Sequence, residues 1–382
     1  MISLAMPNLE GNEKKYLDDC IDTTFVSSVG EYVNKFESMV AEATGSSFAV
    51  ATSSGTTGIH AALTAIGVKH GDLVIIPTFT FIASANAVRH CGADPWLMDI
   101  GYWDWCLNPG LVRAEIEKHC ERRADGQLYH KESGQRVAAL MPVYTLGNIP
   151  DMKAFRQIAD DYEIPLVVDA ACAIGATYEG KDFGPLADLS VLSFNGNKTI
   201  TCGGGGAVVG CRQDILDHVR HLTTTARVWP DYDFDEVGFN YRMTNIQAAV
   251  GVAQMERLDS FIETKRKARK YYEEKFDDLL RKGITFFPTT PGSSCWFSGI
   301  VLPEGSDLFA AKEICAKLKE EEIEARSFWK PVHLQAPYKD CYRSDVSVAE
   351  SLWQRIITLP CSTGITDEEL AKVADAVKRA VE

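Results

Sequence analysis

No CxxC pair occurs among the eleven cysteines of this chain, and no histidine stands beside them at zinc spacing. Neither a disulfide framework nor a metal site is expected, and the cysteines, scattered from Cys20 to Cys361, read as reduced thiols. Basic residues are scarce relative to acids: 39 Lys and Arg against 53 Asp and Glu give a net charge of -14. That balance argues against a nucleic-acid partner. It leaves room for an anionic substrate, because backbone donors and a few cations can hold a phosphate locally. No apolar run reaches membrane-spanning length, and the opening MISLAMPNLEGNEKKY has no signal-peptide core, so no membrane partner and a cytoplasmic location are expected. What remains, 382 residues at 46% hydrophobic and 24% charged, fits a globular enzyme of two domains.

A phosphate loop of the GxxxxGK[ST] kind is also missing. In SFNGNKTITCGGGGAVV (193–209) the glycines follow Lys198, and Asn197 stands where that pattern needs glycine. The stretch still demands an explanation, since four consecutive glycines, 203–206, contribute no side-chain packing and cost backbone entropy on ordering. A folded domain keeps them where the chain turns sharply or closely approaches something, here a bound ligand beside Lys198. Taken alone, the stretch also fits an ordinary solvated lysine next to a flexible loop.

Strand and helix patterns alternate around it. Residues 48–52 read as a strand that ends in SSGTTGIHAAL, a hydroxyl-rich turn opening a helix whose free N–H groups outline a phosphate site. A plain helix cap explains the same residues equally well. Next come a strand at 73–76, a helix at 83–90 and a strand at 95–99, with Phe79 and Phe81 at the carboxyl end of the first, where open α/β sheets bind ligands. Residues 121–137 are polar and aperiodic, an exposed loop or hairpin. A strand from 137, a helix over 152–163 and a strand running into Asp169 follow. This order predicts an α/β fold with a mostly parallel central sheet flanked by helices. Asp169 places a carboxylate at the carboxyl edge of a buried strand, which is costly unless something pairs with it. After Gly251 one long helical stretch extends to Lys282, its run KRKARK (265–270) reading as a solvated face. Strand-like segments near 284–288 and 294–303, a helix over 308–322 and a last helix from Asp367 complete a smaller α+β domain. The expected division is residues 1–250 and 251–382.

A lysine, a buried carboxylate, an aromatic plate, a glycine-hydroxyl helix start and Ser193 together match the needs of pyridoxal 5'-phosphate. The lysine binds the aldehyde, the carboxylate keeps the pyridine nitrogen protonated, the aromatic covers the ring, and the helix start and hydroxyls hold the phosphate. At this point SSGTTGIHAAL, PTFTFIASANAV, VVDAACAIGA, SFNGNK followed by GGGG, GFNYRMTNIQAAVG and WKPVHLQ resemble, in order and spacing, the DegT/DnrJ/EryC1/StrS sugar aminotransferases across nearly the whole chain. The resemblance implies a fold type I PLP-dependent transferase, the aspartate aminotransferase-like architecture. It places the Schiff-base lysine at Lys198, the partner of the pyridine nitrogen at Asp169, and the ring-stacking aromatic at Phe81. Gly55, Thr56 and Ser193 match the phosphate cradle. Asn240 matches a residue that reaches the cofactor of a neighbouring subunit, implying a homodimer with shared sites. His333 and Tyr338 fall where the family contacts the nucleotide-sugar. Cys172 departs from the pattern, standing where many members carry Gln, His or Glu near the cofactor's phenolic oxygen.

The resemblance further implies transfer of an amino group from L-glutamate to the 4-keto carbon of a nucleotide-linked 4-keto-6-deoxy sugar. PNLEGNE, FVSSVGEYVNKFE, WKPVHLQ and TLPCSTGIT look most like the branch that makes UDP-4-amino-4,6-dideoxy-N-acetylglucosamine. The GDP-perosamine synthase branch shares GNKTIT and NYRMTN, and Ser327, where the UDP branch usually has proline, counts against the UDP sugar. A PLP-binding regulator without turnover is the alternative of another class.

Overall fold

The computed structural model describes residues 1–228 and 230–382. Its central sheet follows the spatial order Asp94–Met98, Leu73–Pro77, Val137–Leu140, Val167–Asp169, Leu189–Ser193, Gly206–Gly210, Phe48–Thr52. The three-stranded and four-stranded halves are joined by parallel bridges at Leu140–Leu166 and Val143–Asp169. Every junction is parallel except at Gly206–Gly210, which runs antiparallel to both neighbours. The sheet is therefore mostly parallel, as the strand–helix alternation predicts. Its strands are short apolar runs because both faces are covered: all five residues of Leu73–Pro77 are buried.

Local chemistry sets the helix ends. Glu31–Thr44 stops at Gly45, whose φ of 64° lies in the left-handed region that glycine enters freely. Gly55–Ala65 starts at Ser54, which exchanges side-chain and backbone hydrogen bonds with Thr57 in a capping box. The polar stretch after Cys120 forms a hairpin, Cys120–Arg122 with Leu128–His130.

The C-terminal residues build a second sheet, antiparallel throughout, in the order Thr285–Phe286, Ser298–Val301, Ile356–Leu359, Arg326–Ser327. Leu308–Glu320 and Asp367–Ala380 pack on it within a separate apolar cluster that also takes in Ile2 and Leu4 from the start of the chain. The strands at Arg326–Ser327 and Ile356–Leu359 escape the sequence reading, the first because two residues carry no period.

Two expectations need correction. The long helical stretch after Gly251 is broken into Asn245–Met255, Leu258–Lys275 and Asp277–Leu280. KRKARK is a solvated face only in part: Arg266, Lys267 and Lys270 are exposed, but Lys265 and Arg269 are 1% and 5% exposed. Their spacing of four puts them on the stripe that carries Leu258, Phe261, Ile262 and Tyr272, so the helix buries them with its apolar side. Lys265 satisfies its ammonium by donating from Nζ to the Trp296 carbonyl at 3.0 Å. Within the described residues no helix is long and apolar enough to cross a membrane.

Candidate active site

The carboxyl ends of the central strands open into a cavity of about 570 Å³. Lys198, Asp169, Cys172, Ser193, Phe81 and the Gly55–Thr56 helix start all line it, although they come from four separate stretches of sequence.

Lys198 sits in the turn that follows strand Leu189–Ser193. Its N–H donates to the Asn195 carbonyl at 3.0 Å, and Trp296 Nε1 donates to the Asn197 carbonyl at 2.8 Å, pinning the turn from the C-terminal side. The Lys198 ammonium lies 3.9 Å from the Trp296 ring centroid and 3.3 Å from Cys172 Sγ. Lys265, held against the Trp296 carbonyl, braces this wall from behind. Burial pushes the Cys172 thiol up to about 11, against the opposing pull of Lys198. Cys172 is therefore a neutral thiol at physiological pH.

Asp169 ends its strand 5% exposed. One carboxylate oxygen accepts from the Ser84 hydroxyl at 2.6 Å and the other from the Ala171 N–H at 3.0 Å. Burial raises its pKa above the ordinary carboxylate value, while Ser84, the Ala171 N–H and Lys198 act in the opposite direction. Such a carboxylate is built to receive a cation or a shared proton.

The glycine block earns its place at the opposite wall. Gly205 has φ of 134°, and a Cβ on Gly206 would lie 2.5 Å from the Ser54 carbonyl oxygen and 2.6 Å from the Gly55 nitrogen. The returning strand thus passes backbone against backbone with the helix start, and only glycine fits there. Likewise a Cβ on Gly55 would come within 2.9 Å of Ser193 Cβ. Gly206→Ala is expected to destabilise the protein by about 1–3 kcal/mol, since backbone atoms cannot step aside as a flexible side chain can. A lowered urea midpoint together with weakened cofactor retention is the expected result; an unchanged midpoint would refute the packing.

Phe81 is 56% exposed, an exposed ring at the cavity edge where a flat ligand can stack. The residues present fit pyridoxal phosphate by their donor set: helix-start N–H groups and hydroxyls for a phosphate, a buried carboxylate for a pyridinium, and an accessible lysine for an aldehyde.

Three expected residues do not line this cavity, one of them, Asn240, being expected at a neighbouring subunit's site. Asn240 is exposed and outside the cavity, bridged to Thr224. His333 is buried and bonded on both ring nitrogens, to Thr78 Oγ1 at 2.6 Å and Glu350 at 3.1 Å. Tyr338 is buried and donates to Asn86 Oδ1 at 2.5 Å. Neither His333 nor Tyr338 lines the cavity. Both tie the WKPVHLQAPY segment to the large sheet and its helices. Ser54 and Trp329, which lie within the motifs already read, also line the cavity, as do Trp296, Arg326 and Phe328, which the sequence does not single out. Ser54 was legible as a helix cap; the others lie about a hundred residues or more beyond Lys198.

Residues 7–378 match the DegT/DnrJ/EryC1/StrS aminotransferase family. The chain is 36% identical over 382 residues to a GDP-perosamine synthase of Caulobacter vibrioides, covering 98% of this chain and 97% of the relative. It is 31% identical over 281 residues to a UDP-4-amino-4,6-dideoxy-N-acetyl-beta-L-altrosamine transaminase of Campylobacter jejuni, covering 72% and 70%. Its fold matches the Helicobacter pylori aminotransferase PseC, involved in pseudoaminic acid biosynthesis, with a TM-score of 0.88 over 99% of this chain and 98% of that one, at 20% identity. Catalytic-type lysine, buried carboxylate and glycine-framed helix start stand together in one cavity of a chain matched almost end to end, and the protein belongs to the DegT/DnrJ/EryC1/StrS aminotransferases, enzymes that use pyridoxal phosphate.

Proposed function

We propose that this aminotransferase moves an amino group from L-glutamate to the 4-keto carbon of GDP-4-keto-6-deoxymannose, forming GDP-perosamine. The single observation that carries the transaminase chemistry is the convergence of Lys198, Asp169 and the Gly55–Thr56 helix start on one cavity. The choice of sugar is supported by similarity to a GDP-perosamine synthase over essentially the full length of both chains. The motif phrases favour UDP-4-keto-6-deoxy-N-acetylglucosamine, and a relative named for a UDP-sugar keeps that as the second reading, over a shorter span.

In this reading Gly55 and Thr56 offer backbone N–H groups, and Thr56 and Ser193 offer hydroxyls, to the cofactor phosphate. Asp169 holds a proton at the pyridine nitrogen, and Phe81 covers a ring face. When bound, the cofactor supplies the electron sink for amino transfer. Lys198 Nζ would hold the cofactor's aldehyde and, once the donor's amine displaced it, would be the free base placed to move the proton to and from the substrate carbon. Cys172 presents a neutral thiol beside that amine. We include in the proposal a division near residue 250 into large and small domains. A homodimer in which Asn240 serves the partner's site also belongs to it, supported by the exposed Val228, Tyr232, Phe234 and Val237 on the segment leading to Asn240.

The experiment loads the cofactor with the amino group, removes the donor, and offers the GDP or the UDP ketosugar while the visible spectrum is recorded. Rapid spectral return with the GDP sugar is expected. Return with the UDP sugar alone moves the enzyme to the second reading, and return with neither sinks both sugar assignments while leaving the transaminase chemistry standing. Sedimentation as a monomer would remove the shared-site dimer.

A further inference from the structure

We propose that a second cavity, between helix Leu258–Lys275 and the loop that leads to Trp296, binds a phosphate group. It measures about 250 Å³ and shares no lining residue with the cavity around Lys198. Arg266, Arg269 and Glu273 follow one another at steps of three and four along the helix, so they share a face, and Lys270 stands beside them. The helix thus brings three cations and one carboxylate to this cavity in a chain of net charge -14. The facing loop contributes Thr289, Thr290 and Ser293. The Thr290 hydroxyl oxygen accepts from the Ile149 N–H at 3.2 Å and that of Ser293 from the Cys295 N–H at 3.2 Å, which leaves each hydroxyl hydrogen free to donate.

The two guanidinium groups decide the ligand class. Arg266 has no carboxylate partner among the described residues: its Nε donates to the Ser293 carbonyl at 3.1 Å, and Nη2 to the Gly292 carbonyl at 3.3 Å and the Gly175 carbonyl at 3.5 Å. Arg269 donates from Nε to Glu273 at 2.7 Å and from Nη2 to the Phe287 carbonyl, while its Nη1 is buried without an acceptor among the described residues. A buried charged donor left unpaired is costly, and an oxygen entering the cavity would complete it. Both arginines have spent the Nε and Nη2 edge that clasps a planar carboxylate in two parallel bonds. What each keeps is a single Nη1, and single donors from separate residues suit a tetrahedral oxyanion with oxygens on several sides. Lys270 adds a point charge, paired only loosely with Glu274 at 3.7 Å on the exposed surface. Cys295, at φ of 53°, carries the chain from this cavity into Trp296, whose ring lies 3.9 Å from the Lys198 ammonium, and Ser294 donates to the Cys172 carbonyl at 2.9 Å. The loop that would grip the anion is therefore the loop that forms the active-site wall.

The test titrates cofactor-loaded protein with inorganic phosphate, glycerol 3-phosphate and acetate by calorimetry at fixed ionic strength, in wild type, Arg269→Gln, Lys270→Gln and Arg326→Gln. The bound cofactor fills its own phosphate site, and Arg326→Gln removes the second cation lining the active-site cavity, so binding that survives this change lies outside that cavity. Saturable phosphate binding is expected in wild type. It should weaken about 10- to 100-fold in Arg269→Gln, the loss appropriate to a charge-assisted bond. In Lys270→Gln, at an exposed charge, the loss should be about 2- to 5-fold. Arg326→Gln should bind as wild type does within about twofold. Phosphate should also raise the melting temperature of wild type more than that of Arg269→Gln. Tighter binding of glycerol 3-phosphate than of phosphate identifies an organic phosphate as the ligand, and the reverse order identifies the free ion; either supports the site. No saturable phosphate binding, comparable weakening in Arg326→Gln, or acetate bound as tightly as phosphate overturns the proposal. So does undiminished binding in Arg269→Gln or, should that variant not fold, in Lys270→Gln.

Discussion

Lys198→Ala and Lys198→Arg are expected to lower turnover by at least about 10⁴-fold, because one side chain provides both the covalent attachment and the proton shuttle. No neighbour can substitute. The nearest polar atom, Cys172 Sγ at 3.3 Å, belongs to a thiol that burial keeps neutral, so it offers neither amine nor thiolate. The arginine variant preserves a cation over the Trp296 ring, where the ammonium now sits 3.9 Å from the centroid, and should retain the fold. Two readouts separate chemistry from collapse. Borohydride treatment should fix the cofactor to the wild-type peptide containing Lys198 and to no peptide of either variant, while the variants' melting temperatures remain close to wild type. A covalent adduct at another lysine would sink the assignment, and Lys265 is the strongest control, since it lies nearby but is 1% exposed and bonded to the Trp296 carbonyl.

The difference between Lys198 and Lys265 explains what can be read from sequence. The stretch after Lys198, the turn at Gly55 and Asp169 stand out because each departs from a local preference: consecutive glycines, a hydroxyl-rich helix start, a carboxylate at the end of an apolar strand. Such departures cost free energy unless the folded state recovers it, so they stand out without knowledge of tertiary structure. Lys265 and Arg269 violate nothing locally. They sit in a basic run whose average polarity outweighs the four-residue spacing that buries them, and only the packed Trp296 and Phe287 backbones reveal their partners. Arg326 and Phe328 were hidden for a related reason. Their segment is too short to show a strand period, and an aromatic at a cavity wall is chemically the same residue as one in a core. His333 and Tyr338 are motif positions carried by resemblance, and their side chains turn to Thr78, Glu350 and Asn86. The parallel sheet was readable throughout, since buried strands announce themselves as continuous apolar runs between turn residues.

Asp169→Asn should separate stability from activity in opposite directions. The amide can keep both existing contacts: its oxygen accepts from the Ala171 N–H, and its NH₂ faces the Ser84 oxygen, whose own hydroxyl can turn to Thr80 Oγ1 at 3.0 Å. What it removes is a buried negative charge. Because burial raises the Asp169 pKa in the folded chain, the folded state binds more protons than the unfolded state between the ordinary and raised values. Stability from this group is therefore lost as pH rises through that window, and the deficit persists above it. Cofactor-free Asp169→Asn should consequently melt at or above the wild-type temperature near neutral pH, the gap closing as pH falls toward the ordinary carboxylate value. With pyridoxal phosphate bound the order reverses, because the wild-type carboxylate then has a pyridinium to pair with and the amide does not. Activity should fall about 10²- to 10³-fold, the usual consequence of removing one preorganised electrostatic partner. A cofactor-free variant less stable than wild type at neutral pH would show that Asp169 is held for structure, with the cofactor pairing secondary. Unchanged turnover would place the pyridine nitrogen's partner elsewhere.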